Sequence, residues 1–210
     1  MGKIKQGILG GFNGTTGSVV GASWKGIAYM RGKAQSIKNP RTDSQMANRG
    51  NFGKISDLMS KALTLVNDGY RAVSAKKSPF NTAVQENMLV MASPSAGVSI
   101  EKAQFSMGSL IAPSAGEVTE TELAITAVVN PVGNSFDGNK LETAFVFVDS
   151  NDNPLLVVPS VDSISQGAQS VTVNIGKPAN LTYDTVLVFS FVYDNETKKA
   201  SPTIFVGSPE

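Results

Sequence analysis

A chain of 210 residues, 41% apolar and 17% charged, is long and apolar enough to bury a core, as one large domain or two small ones. It contains no Cys and no His, which excludes disulfides and thiolate metal sites and removes the commonest general base and transition-metal ligand. The net charge of +1 conceals an asymmetry: residues 1–77 carry 13 Lys and Arg against three acids, a balance of +10, and residues 78–210 carry five against 14, a balance of −9.

A split of this kind suits docking, either to nucleic acid or head-to-tail onto another copy, although two separately solvated parts of opposite sign produce it too. No basic segment followed by a long apolar run opens the chain, so no signal peptide is expected. No apolar stretch reaches the roughly 18 residues of a spanning helix, so no membrane partner is expected either.

Residues 1–41 read as a glycine-rich basic arm. Glycines such as Gly10, Gly11, Gly14, Gly17 and Gly21 alternate with β-forming runs, among them Ser18-Val19-Val20 and Trp24-Lys25-Gly26-Ile27-Ala28-Tyr29-Met30. The pattern predicts a short glycine-punctuated hairpin or an extended arm. With so much Gly and one Trp it cannot build an independent core.

Residues 42–95 read as a helical segment. Asn39-Pro40-Arg41-Thr42 is a turn signal, and Thr42 or Asp43 can cap a helix. Phe52, Ile55, Met59, Ala62 and Val66 follow steps of three and four and make one apolar stripe, which Leu58 and Leu65 widen. Asp68-Gly69 ends it. Ser78-Pro79 then starts a second helix, carrying Phe80, Val84, Met88 and Met91. The two are expected to pack as a hairpin or against the β-region.

Residues 96–210 read as all-β, with candidate strands at 103–110, 121–129, 143–149, 154–158, 170–175, 184–193 and 201–206. In the 184–193 run, Leu187, Phe189, Phe191 and Tyr193 share one face, and Val186, Val188 and Val192 share the other. This predicts a central strand. Several short strands with regular turn signals suggest an immunoglobulin-like or fibronectin-like sandwich. The expected fold is therefore α+β: a Gly-rich β-arm and a helical hairpin followed by that sandwich.

Chemical motifs fail on inspection. Gly26 to Gly32-Lys33-Ala34 has one residue too many for a phosphate loop and lacks its hydroxyl. Asp149-x-Asn151-x-Asn153 opens like a calcium loop, but Pro154 stands where that loop needs Gly and Ser160 where it needs Glu, so a hairpin turn is expected. Glu117, Glu120 and Glu122 fall among Ser, Gly and Thr and read as a solvated loop. No catalytic residue, cofactor site or metal site is expected, and the protein is not expected to be an enzyme.

The basic stretch is the best candidate for a site. Lys25, Arg31, Lys33, Lys38, Arg41 and Arg49 lie beside Trp24, Tyr29 and Phe52. Basic residues among aromatics can follow a phosphate backbone and stack bases, yet nothing orders these into a known nucleic-acid module. Trp24 can anchor in a protein pocket, and Arg31, Arg41 and Arg49 can grip carboxylates with two bonds each. The expected partner interface is Trp24, Lys25, Tyr29, Arg31, Lys33, Arg41 and Arg49, with protein contact ahead of nucleic acid.

Gly7-Ile8-Leu9-Gly10-Gly11-Phe12, Gly14-x-x-Gly17-Ser18-Val19-Val20-Gly21 and Trp24-Lys25-Gly26 resemble the opening of an uncharacterised domain-of-unknown-function family of Bacteroidota and their phages and prophages. Asn39-Pro40-Arg41-Thr42-x-x-Gln45-x-x-x-Arg49-x-x-Phe52 is similar to its second block, and Phe80-Asn81 and Val206-Gly207 are similar too. The likeness is strong over about residues 2–55 and loose beyond. It carries no established activity. It implies a virion location after synthesis in the host cytoplasm. The expected role is a structural subunit of a phage or phage-like particle, of the capsid auxiliary or decoration kind. Its partners would be other virion proteins or further copies of itself. A tail or connector component is the alternative, and a nucleic-acid-binding protein using the basic half is the rival of another class.

Overall fold

The computed structural model describes residues 2–3, 11–36, 39, 41–75, 77–93, 97–133 and 138–209. Residues 7–10 of the first family block, Lys38 and Pro40 lie outside them. The chain forms two units, Met1–Arg41 and Thr42–Glu210.

The first unit is a four-stranded antiparallel sheet of β1 (Gly2–Lys3), β2 (Gly14–Thr16), β3 (Val19–Trp24) and β4 (Ile27–Gly32), in the order β1-β4-β3-β2. The hairpin that the sequence predicts is β3–β4. Lys25 and Gly26 close it with φ of 49° and 79°, the mirror-image two-residue turn whose twist matches that of the strands. Gly26 takes this conformation without cost, whereas Lys25 is a side-chain-bearing residue held in it. The flanking β1 and β2 are additions that the sequence did not predict.

In the second unit Thr42 caps α1 (Asp43–Lys61), its hydroxyl accepting from the Gln45 amide at 3.4 Å. Helix α2 (Leu63–Gly69) follows after a break at Ala62 and continues the apolar stripe. Ser78 caps α3 (Pro79–Val90), accepting from the Asn81 amide at 3.2 Å, with Pro79 in the first turn as the spacing predicts. Ile55, Leu58, Met59, Ala62, Leu65 and Val66 are all buried. Phe52 corrects the expected stripe, for it is 54% exposed. Residues 43–50 are exposed throughout, so the first turns of α1 lie outside the packed layer and burial begins at Asn51 and Ile55.

The strands of this unit are β5 (Ala92–Ser93), β6 (Gly97–Val98), β7 (Ser114–Glu120), β8 (Ala124–Asn130), β9 (Asn139–Val148), β10 (Pro154–Ser163), β11 (Val171–Gly176), β12 (Thr185–Asp194), β13 (Lys199–Ala200) and β14 (Ile204–Gly207). They form a five-stranded sheet, β10-β9-β12-β13 with β14 also on β12, a three-stranded sheet, β11-β8-β7, and a small β5–β6 ladder. The fold is α+β, and its described strand pairings are antiparallel.

Strand β12 is central, as its two apolar faces predict. Leu187, Phe189, Phe191 and Tyr193 join Ala144, Val146 and Val148 of β9 in one core with the three helices. Val186, Val188 and Val192 join Phe145 and Phe147 of β9, Ile125, Ala127 and Val129 of β8, and Val173 of β11 in a second core. Residues 42–95 and 96–210 thus share one buried interior.

Two strand expectations are corrected. Residues 103–110 form no strand, because their backbone groups find other partners: the Phe105 and Ser106 amides both donate to Thr203 Oγ1, at 2.9 and 2.8 Å. Residues 114–120, expected as loop, form β7, an exposed edge strand with a bulge between Ala115 and Val118.

Candidate functional site

Cross-strand partners point to the same side of a sheet. The β3–β4 register pairs Trp24 with Ile27, Ala22 with Tyr29 and Val20 with Arg31, so these six share one face of the small sheet. Gly21, Met30, Ser23 and Ala28 occupy the other. The Phe12 ring lies against Gly21, and Gly11 approaches Ala28, so residues 11–12 run over that second face.

The first face is open at its tip. Trp24 is 63% exposed and Ile27 45% exposed, directly opposite one another. Lys25 holds its ammonium 5.0 Å from the centre of the Trp24 ring, within cation–π range. Arg31 is exposed and Tyr29 half-buried. The structure therefore brings Trp24, Lys25, Tyr29 and Arg31 together and adds Ile27, which the sequence did not single out. Lys33 follows β4, its amide donating to the Ser18 carbonyl at 2.7 Å. Arg41 is exposed at the end of the first unit, and Arg49 is exposed on α1 in the second. Residues 1–41 carry seven Lys and Arg and no acid at all. A large aromatic beside an aliphatic, with the Lys25 ammonium near its ring and Arg31 farther along the same face, is suited to an apolar pocket with an acidic rim.

Several acids of the second unit are already engaged. Asp149 accepts from the Asn151 and Asn153 amides at 2.9 and 2.8 Å and from Asn153 Nδ2 at 2.9 Å, which holds its carboxyl below the usual range. This is the expected hairpin turn, closed by its own residues. Asp194 is likewise held low, chiefly by the Thr197 hydroxyl, in the turn before β13. Glu120 corrects the solvated-loop expectation: it lies on β7, 2.5 Å from Lys177 Nζ, and accepts from the Tyr183 hydroxyl at 2.8 Å. The Lys177 bond lowers its carboxyl. Glu117 and Glu122 are exposed.

A cleft of about 440 Å³ runs between β7 and the end of β14, with Glu117 and Glu120 on one wall and Val206 and Gly207 on the other. A smaller one of about 260 Å³ has Ser99, Glu101, Asp152 and Thr185 around it. Neither pairs a nucleophile with a base. Among the described residues no group of three or more acids could hold a metal ion.

One titratable residue escaped sequence reasoning. Glu142 sits in the core with 2% exposure, and burial first, then the nearby Asp68 charge, push its carboxyl up to about 8. Its signal was a lone acid inside a run, Leu141 to Val148, that is otherwise apolar except for Thr143.

Residues 11–207 match the family described as "Family of unknown function (DUF6266)", nearly the whole chain. No curated protein matches it.

Proposed function

The chain belongs to the DUF6266 family, a family of unknown function, and from the open basic face of its first unit we propose that it is a structural subunit that assembles through that face. The carrying observation is the exposed Trp24–Ile27 pair, set among Lys25 and Arg31 in a segment with no acid. An exposed Trp and Ile side by side offer a partner more apolar area than an isolated surface side chain does. The remaining 169 residues supply the opposite charge, since residues 42–210 hold 11 Lys and Arg against 17 acids. Head-to-tail docking of one copy's small sheet on another copy's acidic unit follows from this complementarity.

In this reading the subunit belongs to a phage or phage-like particle, as a capsid auxiliary or decoration protein or else a tail or connector component. The particle context rests on the resemblance of the glycine-rich and Asn39-to-Phe52 blocks. The β-region of the second unit is then an immunoglobulin-like or fibronectin-like sandwich; the second core, fed by both larger sheets, supports that architecture.

The test is the mass of the purified chain in solution at low and high salt. Oligomers that dissociate as salt rises agree with head-to-tail docking. A single-chain mass at every salt contradicts self-assembly. A nucleic-acid reading is favoured by the same uninterrupted positive charge and demands binding with a steep salt dependence.

A further inference from the structure

Strand β9 carries Glu142 into the core beneath the helices. Its register partner on β12 is Phe191, and Ala144, Val146 and Phe189 lie on the same face. The Glu142 Oε2 is buried with no hydrogen-bond partner. Two positions along β12 on that face, the buried Tyr193 hydroxyl makes no close hydrogen bond, and Arg71 is a donor that acts on it. Cross-strand diagonal neighbours of this kind lie within reach of long side chains.

The charges around the pair come from two layers. Asp68, near the end of α2, acts on both Glu142 and Tyr193, and Arg71, in the turn after α2, acts on Tyr193. From the sheet comes Lys140, the register partner of Tyr193. A carboxylate here is away from water, short of a partner and next to a second acid. Such a charge is strongly disfavoured, whereas the neutral acid is tolerated.

We infer that Glu142 is a proton-operated latch between the helical layer and the central sheet, closed while its carboxyl is protonated and released when the carboxylate forms. In the folded chain the group stays protonated up to about 8, against an ordinary value of 4.5. The folded chain thus keeps a proton that the unfolded chain loses. Burying Glu142 carries no charge penalty below the unfolded value, the penalty grows and stability falls as pH rises toward the folded value, and no more is lost above it. Once the anion forms in the folded protein, the cheapest relief is for α2 and the Arg71 turn to part from β12 and admit water to the carboxylate.

The test uses the full chain labelled with 13C at the Glu side-chain carboxyls. The Glu142 resonance, identified by its absence from Glu142→Gln, is titrated. Amide exchange of Leu63–Gly69 is followed across the same range. We expect a midpoint near 8 and a loss of α2 protection of about tenfold or more on crossing it, beyond the intrinsic rise in exchange and absent from Glu142→Gln. Glu142→Leu removes the charge and the orphaned oxygen together and serves if the Gln variant does not fold. Asp68→Asn should lower the wild-type midpoint. A Glu142 midpoint in the ordinary carboxylate range overturns the latch, and so does equal loss of α2 protection in wild type and variant.

Discussion

Asn87 on α3 grips the backbone of Gln104 with both ends of its amide: Nδ2 donates to the Gln104 carbonyl at 2.7 Å, and Oδ1 accepts from the Gln104 amide at 2.8 Å. Asn87 is wholly buried, and Nδ2 also donates to the Ala83 carbonyl at 2.9 Å. A side chain here does the work of a strand neighbour for a segment that belongs to no sheet.

Removing it strands polar groups. Asn87→Ala should destabilise the chain by about 1–3 kcal/mol, because the Gln104 amide loses its partner and the Gln104 carbonyl keeps only the Tyr70 hydroxyl, at 3.1 Å. Asn87→Asp should cost at least as much, since a carboxylate cannot donate to the Gln104 carbonyl. Urea unfolding measures both. A loss below about 0.5 kcal/mol for the Ala variant would show that water replaces the amide without penalty.

Trp24→Ala should leave stability unchanged within about 0.5 kcal/mol, for the ring is mostly exposed. It should nonetheless abolish the association expected at low salt. Light scattering beside a thermal melt separates the two effects. Association that survives the substitution would remove Trp24 from the interface.

Association of the wild-type chain should weaken steeply with salt, because the Debye length shrinks from about 10 Å at 0.1 M to about 3 Å at 1 M. Arg31→Glu should reproduce the high-salt behaviour at low salt by setting an acid against the partner's acids. If mass is constant across salt but the chain is still oligomeric, apolar contact and not charge holds the copies together.

Gly108 lies so close to the Ala200 carbonyl that an added Cβ would overlap its oxygen. That same oxygen accepts from the Leu110 amide at 3.1 Å, so it is not free to move away. Gly108→Ala should destabilise by about 1–3 kcal/mol. A neutral result in urea unfolding would mean that the 105–110 segment shifts freely against β13.

The carboxyl of Asp149 is held below its ordinary value of 3.8 by hydrogen bonds in its own turn. Its contribution is present above that ordinary value and is lost as pH falls through the lower folded one. Asp149→Ala should therefore lower the unfolding midpoint near neutral pH and narrow its gap from wild type in acid. A gap independent of pH would assign the effect to something other than ionisation.

Much of the second unit was legible because its signals are local. Thr42 and Ser78 cap helices through their own third neighbours, and the two-sided β12 advertises its centrality by alternating large side chains on both faces. Strand β7 was not legible, since Ser114-Ala115-Gly116-Glu117 offers no apolar alternation and its pairing depends on β8 and a bulge. Residues 103–110 misled in the opposite sense: Phe105 looks strand-like, but its amide bonds to Thr203, 98 positions away. In the candidate site, Trp24, Lys25 and Arg31 stood out by residue type. Ile27 did not, because only the register of the hairpin sets it opposite Trp24.

Strand β12 has a consequence for how this protein can be cut or lengthened. Its even-numbered valines serve one core and its odd-numbered Leu187, Phe189, Phe191 and Tyr193 the other. Neither half of the second unit is a candidate for independent expression, because any fragment lacking β12 loses an interior wall of both cores. A one-residue insertion in its middle would be worse than a deletion of the whole N-terminal unit. It would exchange the two sets of side chains beyond that point, pressing valines under the helices and aromatic rings against β8. Tags and fusions belong elsewhere, and melting of the Thr42–Glu210 unit should be a single cooperative transition.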